Sequence, residues 1–232
     1  MNIANPIYDV VFKYLFEDNQ VAKLFLSAII GKEITELKEQ TADNSTPTVC
    51  YFDFLAKIKT QNGLKTVIIE LQKATYQTDL IPSRKKLGLY NTNNKFDDTQ
   101  EKAQKIYSIY FLEFGMDLPE CPVLKIFCPV RDVFTGEEIP DPGDFFSEYN
   151  HWYWIVQIGQ LKQKRRNVRE KILSVFDQSN LTGSTKQFLD VDEETFPEEY
   201  RQIIQRLQKA TEDPKTRRNM ELVDGVVKEI QD

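Results

Sequence analysis

The sequence predicts an α/β fold in which helices flank a mixed central sheet and a helical extension follows at the C-terminal end. Three observations support this fold class. Helical and strand patterns alternate through the first half of the chain, Asn62-Gly63 marks a β-hairpin, and helical patterns return from about residue 196 to residue 231. The 232 residues suffice for one large domain with an extension, which we expect at residues 1–180 and 181–232.

Two helical patterns open the chain. Asn5-Pro6 is typical of a helix N-cap followed by proline in the first turn, and apolar residues recur at helical spacing over residues 7–15. A second amphipathic pattern covers residues 21–29, and Gly31 follows it where a left-handed C-cap residue is expected. We therefore predict two consecutive helices at the start of the chain.

A β-hairpin follows these helices. Residues 48–59 and 64–71 are rich in β-branched and aromatic residues, and Asn62-Gly63 between them is the strongest short hairpin signal in the chain. A two-residue turn at Asn62-Gly63 would place Asp53 directly opposite Gln72.

The remaining elements are predicted from the same patterns. They are strands at residues 105–114, 123–130 and 151–158, helices at residues 78–90, 161–176, 196–211 and 214–231, and a linker at residues 177–185. Pro214 stands at the first position of the last helix. Together these elements indicate a mixed α/β sheet with a helical tail.

Composition and charge exclude several classes of protein. The chain is 41% hydrophobic and 28% charged, as in ordinary globular proteins, and its net charge of −6 argues against coating nucleic acid or anionic membrane through bulk charge. Three cysteines and a single histidine, His151, do not provide a zinc-type ligand set. The longest apolar stretch, residues 24–30, is too short to span a bilayer, and no signal-peptide pattern opens the sequence. We therefore expect a cytoplasmic protein with no membrane partner.

Three polar side chains converge on one face of the predicted hairpin. Residues that face each other across an antiparallel pair share a side of the sheet, and so do residues two apart on one strand. Asp53, Glu70 and Gln72 therefore lie on one face, while Ile69 and Leu71 point to the other. In the predicted register Asp53 and Glu70 are diagonal neighbours, roughly 7–8 Å apart at the backbone.

This pair of acids favours a metal site. Two neighbouring carboxylates in a strand built for burial repel each other unless a cation or a proton intervenes. Mg²⁺ and Mn²⁺ take one or two carboxylates together with water and substrate phosphate, so hydrolysis of a phosphodiester is the reaction the pair favours. The alternative that the residues leave open is a solvated sheet face with incidental carboxylates.

Several segments together resemble a known family. They are Asn5–Phe16, Asp53, Ile68–Ala74, Tyr107–Leu112, Ile155–Ile158 running into Leu161–Arg166, and Ser174–Gln178. In their order and spacing they resemble the PD-(D/E)XK nuclease family transposases, the group that includes the Rpn recombination-promoting nucleases. The resemblance extends over nearly the whole chain.

The resemblance implies a PD-(D/E)XK nuclease-like αβββαβ core that uses Mg²⁺ or Mn²⁺ to cleave DNA. It matches Asp53 with the first acid of the family signature and Glu70 with the second, so that both would be metal ligands. Gln72 stands where the signature has lysine, and an amide orients water but neither gives nor takes a proton. Lys73 lies on the opposite face by strand parity, which makes it a poor substitute.

An acid of the first helix and two basic stretches complete the candidate site. Asp9 matches a family acid that is a further metal ligand in related nucleases, with an exposed Asp9–Lys13 pair as the alternative. The basic residues expected to contact DNA phosphates are Arg84, Lys85, Lys86, Lys164, Arg165, Arg166 and Arg169. A solvated or fold-supporting role is the alternative for these residues. The aromatic residues 152–154 have two alternative roles, stacking on bases of nucleic acid or packing in the core.

The resemblance implies a Mg²⁺-dependent DNA endonuclease that is linked to transposition or recombination of mobile elements in a bacterial cytoplasm. The alternative is a catalytically weak or inactive module of nuclease fold that binds DNA or a protein partner. Gln72 and the acidic net charge favour this alternative, whereas the presence of both Asp53 and Glu70 favours the enzyme. The oligomeric state is left open, and a homo-oligomer is compatible with the sequence.

Overall fold

The computed structural model describes residues 1–40, 50–61, 63–79, 105–116, 120–127, 129–139, 151–183 and 185–231. In chain order the described elements are β1 (Asn2–Ala4), α1 (Asp9–Glu17), α2 (Asn19–Ile30), β2 (Ile34–Gln40), β3 (Cys50–Thr60), β4 (Gly63–Ala74), β5 (Lys105–Leu112), β6 (Val123–Ile126), β7 (Trp152–Gln157), α3 (Val168–Leu173), β8 (Leu181–Thr182), β9 (Phe188–Asp190), α4 (Arg201–Glu212) and α5 (Pro214–Gln231). None of the helices in these ranges has the length and apolar character needed to cross a membrane.

The chain divides into two compact units. The first consists of Met1–Ile34 and Ile158–Asp232, and the second of Thr35–Gln157. The predicted boundary after residue 180 falls inside the first unit and stays a prediction.

The first unit combines α1 to α5 with a small sheet of order β1-β9-β8. Its core contains Phe12, Phe16, Phe25 and Phe176, whose adjacent ring centroids lie 4.8 to 6.1 Å apart. Apolar residues at helical spacing on α1 and α2 supply three of these rings, so the periodicity that predicted the helices also builds the core.

The helix ends in this unit differ in part from the predictions. Gly31 adopts the predicted left-handed conformation at the end of α2, with φ of 69°. However, α1 begins at Asp9 rather than at Pro6, because the buried Asn5 side chain donates to the carbonyl oxygen of Lys186 and to the side-chain oxygen of Gln178. Those bonds hold Asn5 in the core of the unit, where it does not cap a helix.

The basic stretch also differs from its prediction. The helix predicted at residues 161–176 is reduced to α3 and one 3-10 turn at Ser174–Phe176. Gln163 has a positive φ of 52°, and its N–H donates to the Asp177 carboxylate, which holds the segment before α3 in turns. The predicted linker at 177–185 contains β8, which pairs with β9.

The second unit carries a six-stranded sheet of order β2-β3-β4-β5-β7-β6. The pairs β3-β4 and β6-β7 are antiparallel, while β4-β5 and β5-β7 are parallel. This mixed sheet confirms the predicted α/β class, whereas a core specific to nucleases stays a prediction. The helix predicted at residues 78–90 lies almost wholly outside the described residues.

Candidate functional site

The hairpin β3-β4 places Asp53 directly opposite Glu70, which corrects the predicted pairing of Asp53 with Gln72. Gly63 pairs with Thr60 as the first residue of β4, whereas the prediction paired Gln61 with Leu64. The Thr60 hydroxyl donates to the Gly63 carbonyl oxygen at 2.7 Å, and Gly63 has a φ of 101° that only glycine adopts without strain. Every facing pair therefore shifts by two residues.

A shift of two residues preserves the face on which each side chain lies. Asp53, Glu70 and Gln72 share one face as predicted, and their residues are 3%, 8% and 4% exposed. Directly opposed residues have Cβ atoms about 4.5–5.5 Å apart, closer than the diagonal neighbours that the sequence predicted. The two carboxyl groups thus lie closer together than the predicted diagonal pair.

Ser108 extends this row of polar groups across the sheet. It lies opposite Glu70 on the parallel strand β5, is fully buried, and donates its hydroxyl to Glu70 Oε2 at 2.9 Å. The bond restricts the rotamer of the Glu70 side chain. Sequence reasoning missed Ser108, although a serine within the otherwise apolar and aromatic segment Ile106–Leu112 is a signal that was available.

Apolar side chains flank the acids on the same face. Ile68 and Ile106 are buried, and Leu55 and Tyr153 pack against them. In the register of the sheet, Leu55 lies opposite Ile68, and Ile68 lies opposite Ile106, two residues along the strands from the acidic row. Apolar neighbours lower the local dielectric constant, so charge interactions at Asp53 and Glu70 are stronger than on an open surface.

Gln72 is held by the turn that follows β4. Its amide nitrogen donates to the Asp79 carbonyl oxygen at 2.7 Å. The Asp79 carboxylate in turn accepts from the backbone N–H groups of Thr75 and Tyr76 at 2.9 and 2.8 Å, which closes the turn. Because a carbonyl only accepts hydrogen bonds, the amide nitrogen of Gln72 must point toward Asp79, and the amide oxygen occupies the other branch of the side chain.

Lys73 lies on the opposite face, as strand parity predicted. Its ammonium group forms a buried ion pair with Glu113 at 2.7 Å, and their side chains are 4% and 17% exposed. The Thr75 hydroxyl donates to the same Glu113 oxygen at 3.1 Å. Lys73 therefore belongs to a structural ion pair on the far side of the sheet from Asp53 and Glu70.

The other predicted site residues belong to other segments of the chain. Asp9 is exposed in the first turn of α1, within the first unit. Arg84, Lys85 and Lys86 lie outside the described residues, and their DNA contact stays a prediction.

The arginines near α3 have partners within the first unit. Arg165 donates to the Asp177 carboxylate at 2.9 Å, and its side chain is 25% exposed. Arg169 donates through Nε to the carbonyl oxygen of Ala28, near the C-terminal end of α2, at 3.0 Å. These contacts support a fold-stabilising role for Arg165 and Arg169.

Arg166 and Lys164 are placed differently. Arg166 binds Glu170 through Nε at 2.9 Å, but its side chain is 66% exposed. Lys164 is half-buried. For all four basic residues of this stretch, contact with DNA stays a prediction.

The acids bound by these arginines are strongly stabilised as carboxylates. Hydrogen bonds from Arg166 hold the pKa of Glu170 below its ordinary value despite burial. Burial alone would raise the pKa of Asp177, but hydrogen bonds from Ser179, the Gln163 N–H and Arg165 outweigh it and leave this pKa below its ordinary value. Glu170 and Asp177 are therefore ionised at neutral pH.

The side-chain oxygen atoms of Asp53 and its neighbours are of the kind that hard divalent cations bind. Within the described ranges, no group of three or more His, Cys, Asp or Glu side chains is placed to hold a metal, so the candidate centre has two carboxylates with Gln72 on the same face. Mg²⁺ and Mn²⁺ are bound in this way in enzymes that act on phosphates, where water and phosphate oxygens complete the coordination. Asp53 and Glu70 would be the protein ligands.

No protein-family model, curated protein or solved structure matches this chain. The resemblance to the PD-(D/E)XK nuclease family transposases stays a prediction from the sequence, and the functional conclusion rests on the geometry of the site.

Proposed function

We propose that the protein is a Mg²⁺- or Mn²⁺-dependent DNA endonuclease that hydrolyses phosphodiester bonds. One observation carries the proposal: Asp53 and Glu70 face each other directly on adjacent strands, and both are buried. Two carboxyl groups that face each other across a strand pair can share one divalent cation. The link to transposition or recombination in a bacterial cytoplasm comes from the sequence resemblance alone.

The protein residues have separate tasks in this proposal. Asp53 and Glu70 bind the cation, and Ser108 orients the Glu70 carboxylate through the 2.9 Å hydrogen bond. When bound, a divalent cation polarises the scissile phosphate and lowers the pKa of an attacking water. The apolar wall of Ile68 and Ile106 limits the access of bulk water to the acids, which strengthens their interaction with a cation.

Gln72 has a limited task. Its amide nitrogen is committed to the Asp79 carbonyl oxygen, so its amide oxygen is the atom that can accept a hydrogen bond from water on the acidic face. An amide does not exchange a proton at neutral pH. Gln72 therefore orients a water molecule, and the proton that this water loses passes to solvent or to the phosphate.

Gln72 and its neighbour Lys73 favour a second function. Gln72 replaces the lysine of that signature, and Lys73 is held on the opposite face by Glu113. A protein with this arrangement would bind a cation and DNA but cleave slowly or not at all. This catalytically weak or inactive DNA- or protein-binding module is the alternative to the enzyme.

Cleavage of supercoiled plasmid DNA with Mg²⁺ or Mn²⁺ separates the two functions. We expect nicked or linear plasmid from the wild-type protein, loss of cleavage in Asp53→Asn, and full activity in the matched control Glu36→Gln, which removes an exposed acid from β2. EDTA should abolish the wild-type activity. Equal cleavage by the wild type and Asp53→Asn would contradict the enzyme, and DNA binding without cleavage in all three proteins would establish the alternative.

A further inference from the structure

Four apolar side chains lie exposed on one side of α5. They are Leu222, Val223, Val226 and Val227, which are 58%, 49%, 56% and 46% exposed. Their spacing of one, three and four residues brings them together on one surface of the helix. We define these four residues as the α5 patch. A contiguous apolar surface of this kind, unlike a single exposed apolar side chain, indicates a site of interaction.

Buried contacts on an adjacent side of α5 fix the direction in which the patch faces. Met220 is fully buried, and Thr216, one turn earlier, is 2% exposed. The Asp224 carboxylate accepts hydrogen bonds from the Tyr8 hydroxyl at 2.5 Å and from the Gln187 amide at 2.7 Å. A rotation of α5 that buried the patch would break these bonds, so the fold itself holds the patch outward.

The charges of α5 are ordered against the dipole of the helix. Residues 214–220 contain three basic residues and no acid, whereas residues 221–231 contain three acids and one lysine. Acids stabilise the N-terminal end of a helix and bases the C-terminal end, which is the reverse order. An antiparallel second α5 would place the basic half of each helix beside the acidic half of the other. This charge complementarity favours a second copy of the chain as the occupant of the patch.

The α5 patch is also complementary to itself in that arrangement. Its four residues are placed symmetrically about the point between residues 224 and 225. An antiparallel second copy centred there places Val223 opposite Val226 of the second copy. The same symmetry places Leu222 opposite Val227 of the second copy. A twofold interface requires a self-complementary surface of this kind.

One edge of the patch carries two opposite charges. Arg218, Leu222 and Glu229 are separated by four and seven residues, so they lie along the same edge of the helix. Arg218 and Glu229 are both exposed. A twofold axis keeps like edges of the two helices together, so Arg218 of each copy would lie beside Glu229 of the other copy.

We propose that α5 pairs with α5 of a second copy of this chain in an antiparallel, twofold-symmetric dimer. The α5 patch forms the apolar centre of the interface, and two Arg218–Glu229 pairs flank it. Two helices that meet over about three turns bury less than the roughly 800 Å² per partner of a standard interface. The dimer is therefore weak, with a dissociation constant on the order of 10 µM. Because α5 belongs to the first unit and Asp53 to the second, the proposal goes beyond the proposed function.

Sedimentation velocity of the full chain between about 1 and about 300 µM brackets this dissociation constant. We expect the wild type to change from monomer to dimer across that range. Val226→Glu should raise the dissociation constant at least about tenfold, because it places a carboxylate in the apolar centre of the interface. Since Val226 is 56% exposed, the melting temperature of dilute protein should stay within a few degrees of the wild type.

Charge reversal tests the antiparallel geometry. Arg218→Glu and Glu229→Arg should each raise the dissociation constant about three- to tenfold, because each variant places like charges beside each other twice. An equimolar mixture of the two variants should form a heterodimer with nearly the wild-type affinity, since both pairs then join opposite charges. In a parallel arrangement residue 218 would lie beside residue 218, and neither single variant would weaken the dimer.

Two matched controls make the same charge changes on the other side of α5. Lys228→Glu and Glu221→Arg alter exposed residues that lie away from the α5 patch by helical spacing. Both should leave the dissociation constant within about twofold of the wild type, because surface charges outside an interface contribute little.

Three results would overturn the proposal. The first is a wild-type protein that stays monomeric up to about 300 µM, which would assign the patch to another protein or to a segment outside the described residues. The second is a dimer that Val226→Glu leaves unchanged, since the interface would then lie elsewhere. The third is a mixture of the Arg218 and Glu229 variants that associates no better than either variant alone. None of these results depends on whether the protein cleaves plasmid DNA.

Discussion

Buried acids occur in both units, and their surroundings differ. In the first unit, Glu170 and Asp177 are bound by arginines and backbone N–H groups, and their pKa values lie below the ordinary range of carboxyl groups. In the second unit, Asp53 faces another acid, Glu70, whose carboxylate accepts a hydrogen bond from a neutral serine hydroxyl. The first arrangement stabilises the fold by itself, whereas we propose that the second binds a cation.

The partners of a buried acid distinguish a structural acid from a candidate functional acid. Asp177 is fully buried, yet its two carboxylate oxygens accept hydrogen bonds from Gln163, Arg165 and Ser179. Asp53 and Glu70 have comparable burial, but each faces another carboxyl group across the strand pair. Burial of an acid therefore does not by itself indicate function, and the group that faces the acid is the feature our proposal uses.

The largest effect is expected from removing the structural acid. Asp177→Ala leaves the Gln163 and Ser179 N–H groups and Arg165 without their shared acceptor, which should lower the free energy of unfolding by about 3–5 kcal/mol. Urea denaturation measures this change. A loss below about 1 kcal/mol would show that Asp177 contributes little to the stability of the fold, so that the contrast with Asp53 fails.

Acid should destabilise the first unit for the same reason. The pKa values of Glu170 and Asp177 are lower in the folded chain than in the unfolded chain, so the unfolded state binds more protons as the pH falls below about 4. Each of the two groups then costs up to about 1.4 kcal/mol of stability per pH unit until the pH reaches its folded pKa. Urea midpoints across this pH range should fall more steeply for the wild type than for Asp177→Ala. Equal slopes would show that Asp177 does not contribute to the loss of stability in acid.

Part of the fold was predictable because it depends on local periodicity. The apolar spacing of α1 and α2, the glycine at residue 31 and the proline at residue 214 fix helices that the structure confirms. Strands β1, β8 and β9 were missed because each has three residues or fewer and forms only through distant pairing. The seven-residue strand β2 was missed because Glu36, Lys38 and Glu39 give it a polar sequence.

The sequence predicted which face of the sheet carries the site residues, but not how the two strands pair. Strand parity alone put Asp53, Glu70 and Gln72 together and Lys73 opposite them, and the structure confirms both placements. The exact pairing was wrong, because Asn-Gly is compatible with more than one turn and the structure uses Gly63 as a strand residue. Ser108 was missed since its proximity to Glu70 depends on a parallel pairing across a long crossover.

A moderate effect is expected from the arginine that supports α2. Arg169→Ala removes the hydrogen bond to the Ala28 carbonyl oxygen and a favourable charge at the helix end, at a cost of about 1–2 kcal/mol of stability. DNA affinity and its dependence on salt should not change. Thermal unfolding and a salt titration of DNA binding check this expectation. A shallower salt slope with unchanged stability would instead assign Arg169 to a DNA surface.

The smallest effect on stability is expected at the acidic pair. Asp53→Asn keeps the volume of the side chain and removes the charge that opposes Glu70, so the free energy of unfolding without metal should stay within about 1 kcal/mol of the wild type or rise slightly. Thermal unfolding in EDTA measures it. A large loss of stability would show that Asp53, like Asp177, mainly stabilises the fold.

Calorimetric titration with Mn²⁺ tests most directly whether Asp53 and Glu70 form a cation site. The wild type and the control Glu36→Gln should each bind Mn²⁺ at one site, and Glu70→Ala should bind none there, because a single carboxylate in a buried setting holds the ion too weakly. Ser108→Ala should bind with an affinity between these extremes, since it keeps both acids but loses the bond that orients Glu70. Binding of Mn²⁺ that is undiminished in Glu70→Ala would contradict the site.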